Sequence, residues 1–375
     1  MTTNTDTRIL VWDFPTRIFH WLLVASFAAA WLTHEDNRFL DIHVFAGYLF
    51  LSLLLFRLAW GVVGSRYARF QTFAHRWPTV WAYTKGLLTG EASRYLGHNP
   101  AGGWAIFVML ALGLLISLTG LTVLGGEEGH GPLAGLVSFD LGEGTHELHE
   151  VLSSLMLGVI AIHILAVFVE SFLHRENLVR PMITGYMKGR GDGEPVAKHG
   201  LLGIGIVALS IVAASTYFWG YMIETQDDPY RIFKGPTLPD NALWRQECGD
   251  CHLAFHPSLL PARSWVKLLE TQSDHFGEDL GLDQTALDEL RQFHTTNAAE
   301  SRLTEPANKI IRSVPAGEAP LAITQTQYWK NKHRDIDETY WKNPRIKSRS
   351  NCAACHLDAK AGTFEDAAMR LPDIK

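Results

Sequence analysis

All four cysteines of the chain fall in two copies of one motif, CGDCH at 248–252 and CAACH at 352–356. CxxCH is the attachment signature of a c-type haem. Two thiols three residues apart add to the porphyrin vinyl groups, and the histidine that follows binds iron from the proximal side. This assigns Cys248, Cys251 and His252 to one covalent haem, and Cys352, Cys355 and His356 to a second. A four-cysteine zinc site is the rival use of such spacing. It gives no reason for a histidine after the second cysteine of both copies. Each iron then takes a sixth ligand or keeps an open site. His256, His275, His294 and His333 are available, whereas the methionines of this region, Met369 included, are unpromising.

A second set of histidines lies in apolar sequence, where ionisable residues are costly and usually functional. His20 opens the first apolar run, His43 the second and His149 the fourth, with His163 further along the fourth. His149 and His163 are 14 residues apart, close to four helical turns, so they share a face and stand about 21 Å apart along the axis. That separation seats two planar cofactors, one near each membrane surface. The bland reading of each histidine is a hydrogen-bonding helix contact. His34, His146 and His174 are second choices for the same role. Gly47, one turn after His43, has no side chain to obstruct a porphyrin. Arg57, 14 residues after His43 on the same face, either pairs with a haem propionate or snorkels to the interface. Arg17 is a weaker candidate of the same sort.

The elements that must position these groups follow from composition. The chain is 47% hydrophobic and only 19% charged, against about 25% charged for an ordinary soluble protein. Segments 18–33, 42–64, 104–124, 147–173 and 200–222 hold most of the apolar mass and read as five membrane helices, each needing roughly 17–25 residues. Residues 223–375 read as a soluble, mainly helical domain; SWVKLLETQ and LDQTALDELRQF show helical apolar spacing. A single soluble globule, a disordered chain and a disulfide-stapled miniprotein are excluded. The net charge of −6 is too mild and too evenly spread for nucleic-acid binding. WDFPTRIFHW is not the approach to a cleaved signal peptide.

Lysine and arginine concentrate in the N-terminus (Arg8, Arg17), in 65–103 and in 174–199; the loop 34–41 holds Arg38 alone and 125–146 holds none. By the positive-inside rule the first set faces the cytoplasm. An odd number of spans then places 223–375 outside; were 200–222 a buried soluble helix, that domain would lie inside. An outside location agrees with covalent haem attachment, which in bacteria occurs there. Helix direction pairs the histidines by depth: His20 with His163 near the inner surface, His43 with His149 near the outer one. Two inward-facing histidines from different helices at one depth are what a haem b requires.

WDFPTRIFHW, DIHVFAGY, FRLAWGVVGSRYARF and HELHEVLSSLMLGVIAIH followed by HRENLVRPMITGYMKG resemble the bacterial cytochrome b561 and nickel-hydrogenase b-type cytochrome family over about residues 8–190. The resemblance implies a four-helix bundle with two bis-histidine b haems that exchanges electrons with quinone; the fifth span departs from that minimal form. CHLAFHPSLLPARSW, DHFGEDLGLD, YWKNKHRD and NCAACHLDAKAGTFED resemble the bacterial dihaem cytochrome c family over roughly 240–375. That resemblance implies His275 as the distal ligand of the first c haem and His333 of the second. His256 lies only four residues after His252, and His294 is an alternative.

The expected architecture is all-α: a b561-like transmembrane domain at 1–190, a linker at 191–199, a fifth membrane helix at 200–222 and an extracytoplasmic dihaem c domain at 223–375. The expected function is electron transfer between the quinone pool and a periplasmic cytochrome c or reductase. The setting is the bacterial inner membrane, in contact with lipid and open to oligomerisation. Two readings compete: an anchor subunit that recruits a larger redox enzyme, and a haem-based gas sensor with one five-coordinate c haem.

Overall fold

The computed structural model describes residues 7–34, 39–189, 199–219, 235 and 237–372. The chain divides into two compact units, Met1–Gly120 with His146–Ile223, and Leu121–Thr145 with Glu224–Lys375.

The first unit opens on β1 (Thr7–Leu10) and α1 (Phe14–Leu32). The Asp13 carboxylate caps α1 by accepting from the Thr16 N–H at 3.1 Å, and Pro15 occupies the first turn, where a missing N–H goes unnoticed. The helix therefore starts before the apolar run, and His20 lies almost two turns inside it. α2 (Leu40–Val63) follows, then α3 (Trp77–Thr89), a helix not anticipated in the second loop. α3 buries Val80 and Tyr83 and exposes Trp77 and Trp81, the amphipathic pattern of an interfacial helix. α4 (Pro100–Gly126) and α5 (Phe139–Leu173) complete the bundle. After α6 (Arg180–Thr184), β2 (Tyr186–Gly189) pairs antiparallel with β1, Leu10 opposite Tyr186. This strand pair is the one sheet among the described residues, and it ties the approach to α1 to the segment after α5. α7 (Gly200–Tyr217) packs against α1. Gly203 allows the close approach: a Cβ there would lie 2.3 Å from the Phe14 ring.

α2, α4, α5 and α7 are long and apolar enough to cross a bilayer. α1 has 19 residues, a sufficient length, but Thr16, Arg17 and His20 dilute its apolar character. The expected linker at 191–199 lies outside the described residues except for His199, as do Arg38, Lys198 and residues 220–222. Phe50, Leu54, Leu110, Leu112, Ile116 and Met156 form the bundle core. Phe50 comes seven residues after His43, and Met156 seven after His149. At two turns per seven residues, this apolar layer lies midway between the two histidine depths.

The second unit contains α8 (Ala242–Gly249), α9 (Ala262–Glu270), α10 (Gln284–Thr296), α11 (Glu305–Ser313), α12 (Gln327–Lys332) and α13 (Glu338–Trp341), joined by long loops. Side chains of Asn241, Asp283, Thr304, Thr326 and Asp337 cap five of these helices, each satisfying a first-turn N–H. Small apolar clusters hold them: Trp244 with Leu269 and Leu290, and Leu259 with Ala299, Ile310 and Val314. The α4–α5 loop belongs to this unit. α5 begins eight residues before the expected span, and its first turns carry Asp140 and Glu143. Asp140 pairs with Arg302 at 2.7 Å and Arg312 at 3.0 Å; Glu143 pairs with Lys309 at 2.9 Å and with Arg312. His149 is thus three turns inside α5, not at its start.

Candidate functional site

α2 and α5 bring His43 and His149 together, with ring centroids 6.2 Å apart and planes at 70°. An imidazole centroid lies about 1.1 Å behind its ligating nitrogen, and a metal–nitrogen bond is about 2.0 Å. Two axial ligands of one iron therefore have centroids about 6.2 Å apart. Each Nδ1 is turned to protein. His43 Nδ1 donates to the Ala30 carbonyl at 2.9 Å; His149 Nδ1 lies 3.0 Å from both the Ile116 carbonyl and the Thr119 hydroxyl. Holding the proton on Nδ1 leaves the Nε2 lone pair for a metal. A Cβ on Gly47 would meet nothing within 4 Å, whereas one on Gly120 would lie 3.0 Å from His149 Cε1. Gly47 thus borders open space and Gly120 gives the His149 ring its place.

His20 and His163 lie within electrostatic reach of one another, and His20 Nδ1 is buried without a partner. Arg57 is buried on α2 with its guanidinium 4.8 Å from the Phe70 ring. Arg17 Nη1 donates to the Ile183 carbonyl at 2.5 Å, joining α1 to α6. The rivals go elsewhere: His34 Nδ1 lies 2.5 Å from the Trp31 carbonyl, and half-exposed His146 is 3.5 Å from Glu150. His174 follows the end of α5, its Nε2 buried without a partner.

In the second unit the centroids of His252 and His275 are 6.2 Å apart with planes at 27°, and those of His333 and His356 are 6.2 Å apart with planes at 64°. His252 Nδ1 lies 2.7 Å from the Leu253 carbonyl. His333 follows α12, its Nδ1 donates to the Trp329 carbonyl at 2.9 Å, and its ring stacks on the Trp329 indole at 4.4 Å. Phe276 and Phe364 both hold the left-handed backbone conformation (φ 56° and 55°) that is uncommon for a bulky residue. Their rings lie 5.0 Å from His275 and 5.2 Å from His356. Cys248, Cys251, Cys352 and Cys355 form no disulfide. Burial pushes the Cys248 and Cys352 thiols up to about 11, with Glu247 adding to the effect at Cys248. Burial, then the charge of His252, holds His275 below the usual histidine range, and burial does the same at His333 and His356. The imidazoles are neutral and ligand-ready near pH 7.

His256 uses both nitrogens, Nδ1 on the Ser258 hydroxyl at 2.8 Å and Nε2 on the Pro239 carbonyl at 3.2 Å. His294 is buried against Trp265 at 4.6 Å, with Nδ1 on the Leu290 carbonyl of its own helix. Neither meets a CxxCH histidine. Three imidazole pairs with one spacing, and thiols beside two of them, fit haem. Two family models match: prokaryotic cytochrome b561 over residues 11–185 and dihaem cytochrome c over residues 244–364.

The chain joins a prokaryotic cytochrome b561 to a dihaem cytochrome c.

This b561–dihaem c fusion is similar to a probable Ni/Fe-hydrogenase B-type cytochrome subunit of Azotobacter chroococcum mcd 1. The two are 25% identical over 219 residues, half of this chain and 91% of the relative. The corresponding probable Ni/Fe-hydrogenase 1 B-type cytochrome subunit of Escherichia coli (strain K12) is 26% identical over 47% of this chain and 89% of its own length. Among solved structures, the diheme cytochrome c from Rhodobacter sphaeroides is 35% identical, covering 34% of this chain and all of that one, with a TM-score of 0.31. The fusion is a membrane protein of the electron-transfer b-type class with a dihaem c domain. Thr119, Gly120, Trp329 and the two left-handed phenylalanines escaped the sequence reading. Trp329 had a signal, four residues before His333 and so one turn away, whereas Thr119 and Gly120 act from a different helix.

Proposed function

We propose that the fusion conducts electrons between a quinone pool in the inner membrane and a periplasmic acceptor, a small cytochrome or a reductase. Two b haems would be held by His20 with His163 and by His43 with His149. Two c haems would be held by Cys248, Cys251, His252 and His275, and by Cys352, Cys355, His356 and His333. The observation that carries the reading is the common 6.2 Å spacing of three histidine pairs, the spacing of two axial ligands on one iron. When bound, haem supplies a one-electron couple tuned by axial ligand and burial. The chain's residues supply position. The Ala30 and Ile116 carbonyls and Thr119 orient the outer imidazoles, Trp329 orients His333, and the Phe50–Met156 layer keeps the two b levels apart. Histidine on both sides leaves no open coordination position, which disfavours gas binding.

The parity of the spans supports a periplasmic c domain, and so does the membership of the α4–α5 loop, which has no Lys or Arg, in the second unit. The purified protein, titrated anaerobically with a quinol, should show reduction of both the b and c absorption bands. Absence of reduction in every haem would remove the quinone link. The names of the hydrogenase subunit relatives favour a second reading, a membrane subunit of a larger redox enzyme. Stoichiometric co-purification of a redox enzyme with the intact fusion would favour it.

A further inference from the structure

Near His163, the first unit buries polar atoms that have nothing to bond. Arg57 is 4% exposed, yet its Nη1 has no partner. The Phe70 and Phe73 rings, 4.8 and 5.8 Å from the guanidinium, cover its face and satisfy none of its N–H groups. The acid whose charge reaches it, Asp13, caps α1 through Oδ1, and its Oδ2, 3.4 Å from His199, makes no hydrogen bond to the guanidinium. His98 is wedged between Trp12 at 4.5 Å and Phe73 at 4.3 Å. It hydrogen-bonds the Tyr67 backbone and senses the charges of both Arg57 and His163, while its Nδ1 is buried without a partner. Phe73 therefore neighbours both Arg57 and His98. A buried guanidinium nitrogen without an acceptor is unfavourable, and a second unmet nitrogen near it, on His98, points to the place of a carboxyl group.

We propose that Arg57 and His98 together hold the propionates of the inner b haem, Arg57 as the fixed positive charge and His98 by sharing a proton with a carboxyl group. The assignment rests on His20 and His163 being the ligands of that haem. Arg57 stands out in sequence by its depth in α2. His98 does not, because LGHNP reads as an ordinary loop and only the fold carries it between Trp12 and Phe73. The pair does more than anchor: a positive charge beside the porphyrin favours the reduced iron, so Arg57 raises the inner haem's potential above what its ligands alone would set.

Arg57→Gln, Arg57→Lys and His98→Asn variants of the full-length holoprotein test this by spectroelectrochemical titration, haem b to haem c ratio and resonance Raman spectra of the propionate-bending region. With Arg57→Gln the midpoint of one b haem falls and its propionate band shifts, while the other b haem and both c haems are unchanged. Arg57→Lys restores part of the midpoint but not the band, and His98→Asn shifts the band. If Arg57→Gln assembles without the inner haem, Arg57→Lys and His98→Asn carry the test. Unchanged b midpoints and an unchanged propionate band in Arg57→Lys and His98→Asn overturn the proposal. His163→Ala separates the two readings: if it retains both b haems, the ligand assignment fails; if it loses one while the propionate band ignores Arg57 and His98, only the cradle fails.

Discussion

At the scale of single residues, the proposed haem ligands depend on neighbours as much as on themselves. Gly120 is the sharpest case, since its missing Cβ would stand 3.0 Å from His149 Cε1. Gly120→Val should displace the imidazole and lower haem b content from about two to about one per chain, leaving the c haems in place; a pyridine haemochromogen assay reads both. Two retained b haems with unshifted spectra would show that His149 is not a ligand. His333→Met tests the other unit. Replacing a distal imidazole by thioether raises the potential of a haem, so one c midpoint should rise and the remaining midpoints stay, as read by optical redox titration. The CxxCH histidines stand out by their motif and the transmembrane histidines by helical spacing, because both signals are local. His275 and His333 are pointed to as distal ligands only by family resemblance, since each is separated in sequence from the CxxCH histidine it is proposed to oppose.

At the scale of elements, α11 shows what the second unit uses to hold its loops. Ile310 is 1% exposed in the core with Leu259, Ala299 and Val314. Ile310→Ala should cost about 2–5 kcal/mol, read as a lower melting temperature of the c-haem absorbance. Near α11 the chain also buries acids. Burial, then Glu305 and Asp366, pushes Glu128 up to about 8; burial, then Glu128 and Asp358, pushes Glu365 up to about 9. The folded form thus keeps protons that the unfolded chain releases near the ordinary value of 4.5. Such groups contribute fully below that value, and their contribution is lost as pH rises through the folded values. The melting temperature of the second unit should therefore fall steadily from about pH 5 to about pH 9, and Glu365→Gln should flatten the slope. A melting temperature that rises over this range would contradict the buried, protonated state. No such cluster could be read from sequence: Glu128 comes from the α4–α5 loop, Glu305 from α11 and Glu365 from the last loop. The membrane helices were legible because length and apolarity are summed along one segment. Their ends were not, because Asp13 extends α1, and Arg302, Lys309 and Arg312 stabilise an extra charged stretch of α5.

At the scale of the whole molecule, the proposed topology makes one helix decide on which side of the membrane the c domain is made. If α1 spans together with α2, α4 and α5, a cytoplasmic N-terminus returns the chain to the cytoplasm, and α7 would be the crossing that reverses this. α7 is seated by the close approach of Gly203 to Phe14 and by a contact between Phe45 and Tyr217 at 5.2 Å, contacts made by residues other than the histidines of the proposed b sites. Its removal should therefore spare the b haems. On the proposed topology, deleting residues 200–222 leaves 223–375 in the cytoplasm, where CGDCH and CAACH would stay unmodified. Membranes carrying the deletion should show the b absorption bands but no covalent haem on a denaturing gel stained for haem peroxidase activity. The parent protein should show both. Covalent haem on the deletion variant, with the b bands intact as evidence of insertion, would mean that α7 does not set the sidedness of the domain, and the direction of every helix and the depth pairing of the four histidines would have to be redrawn.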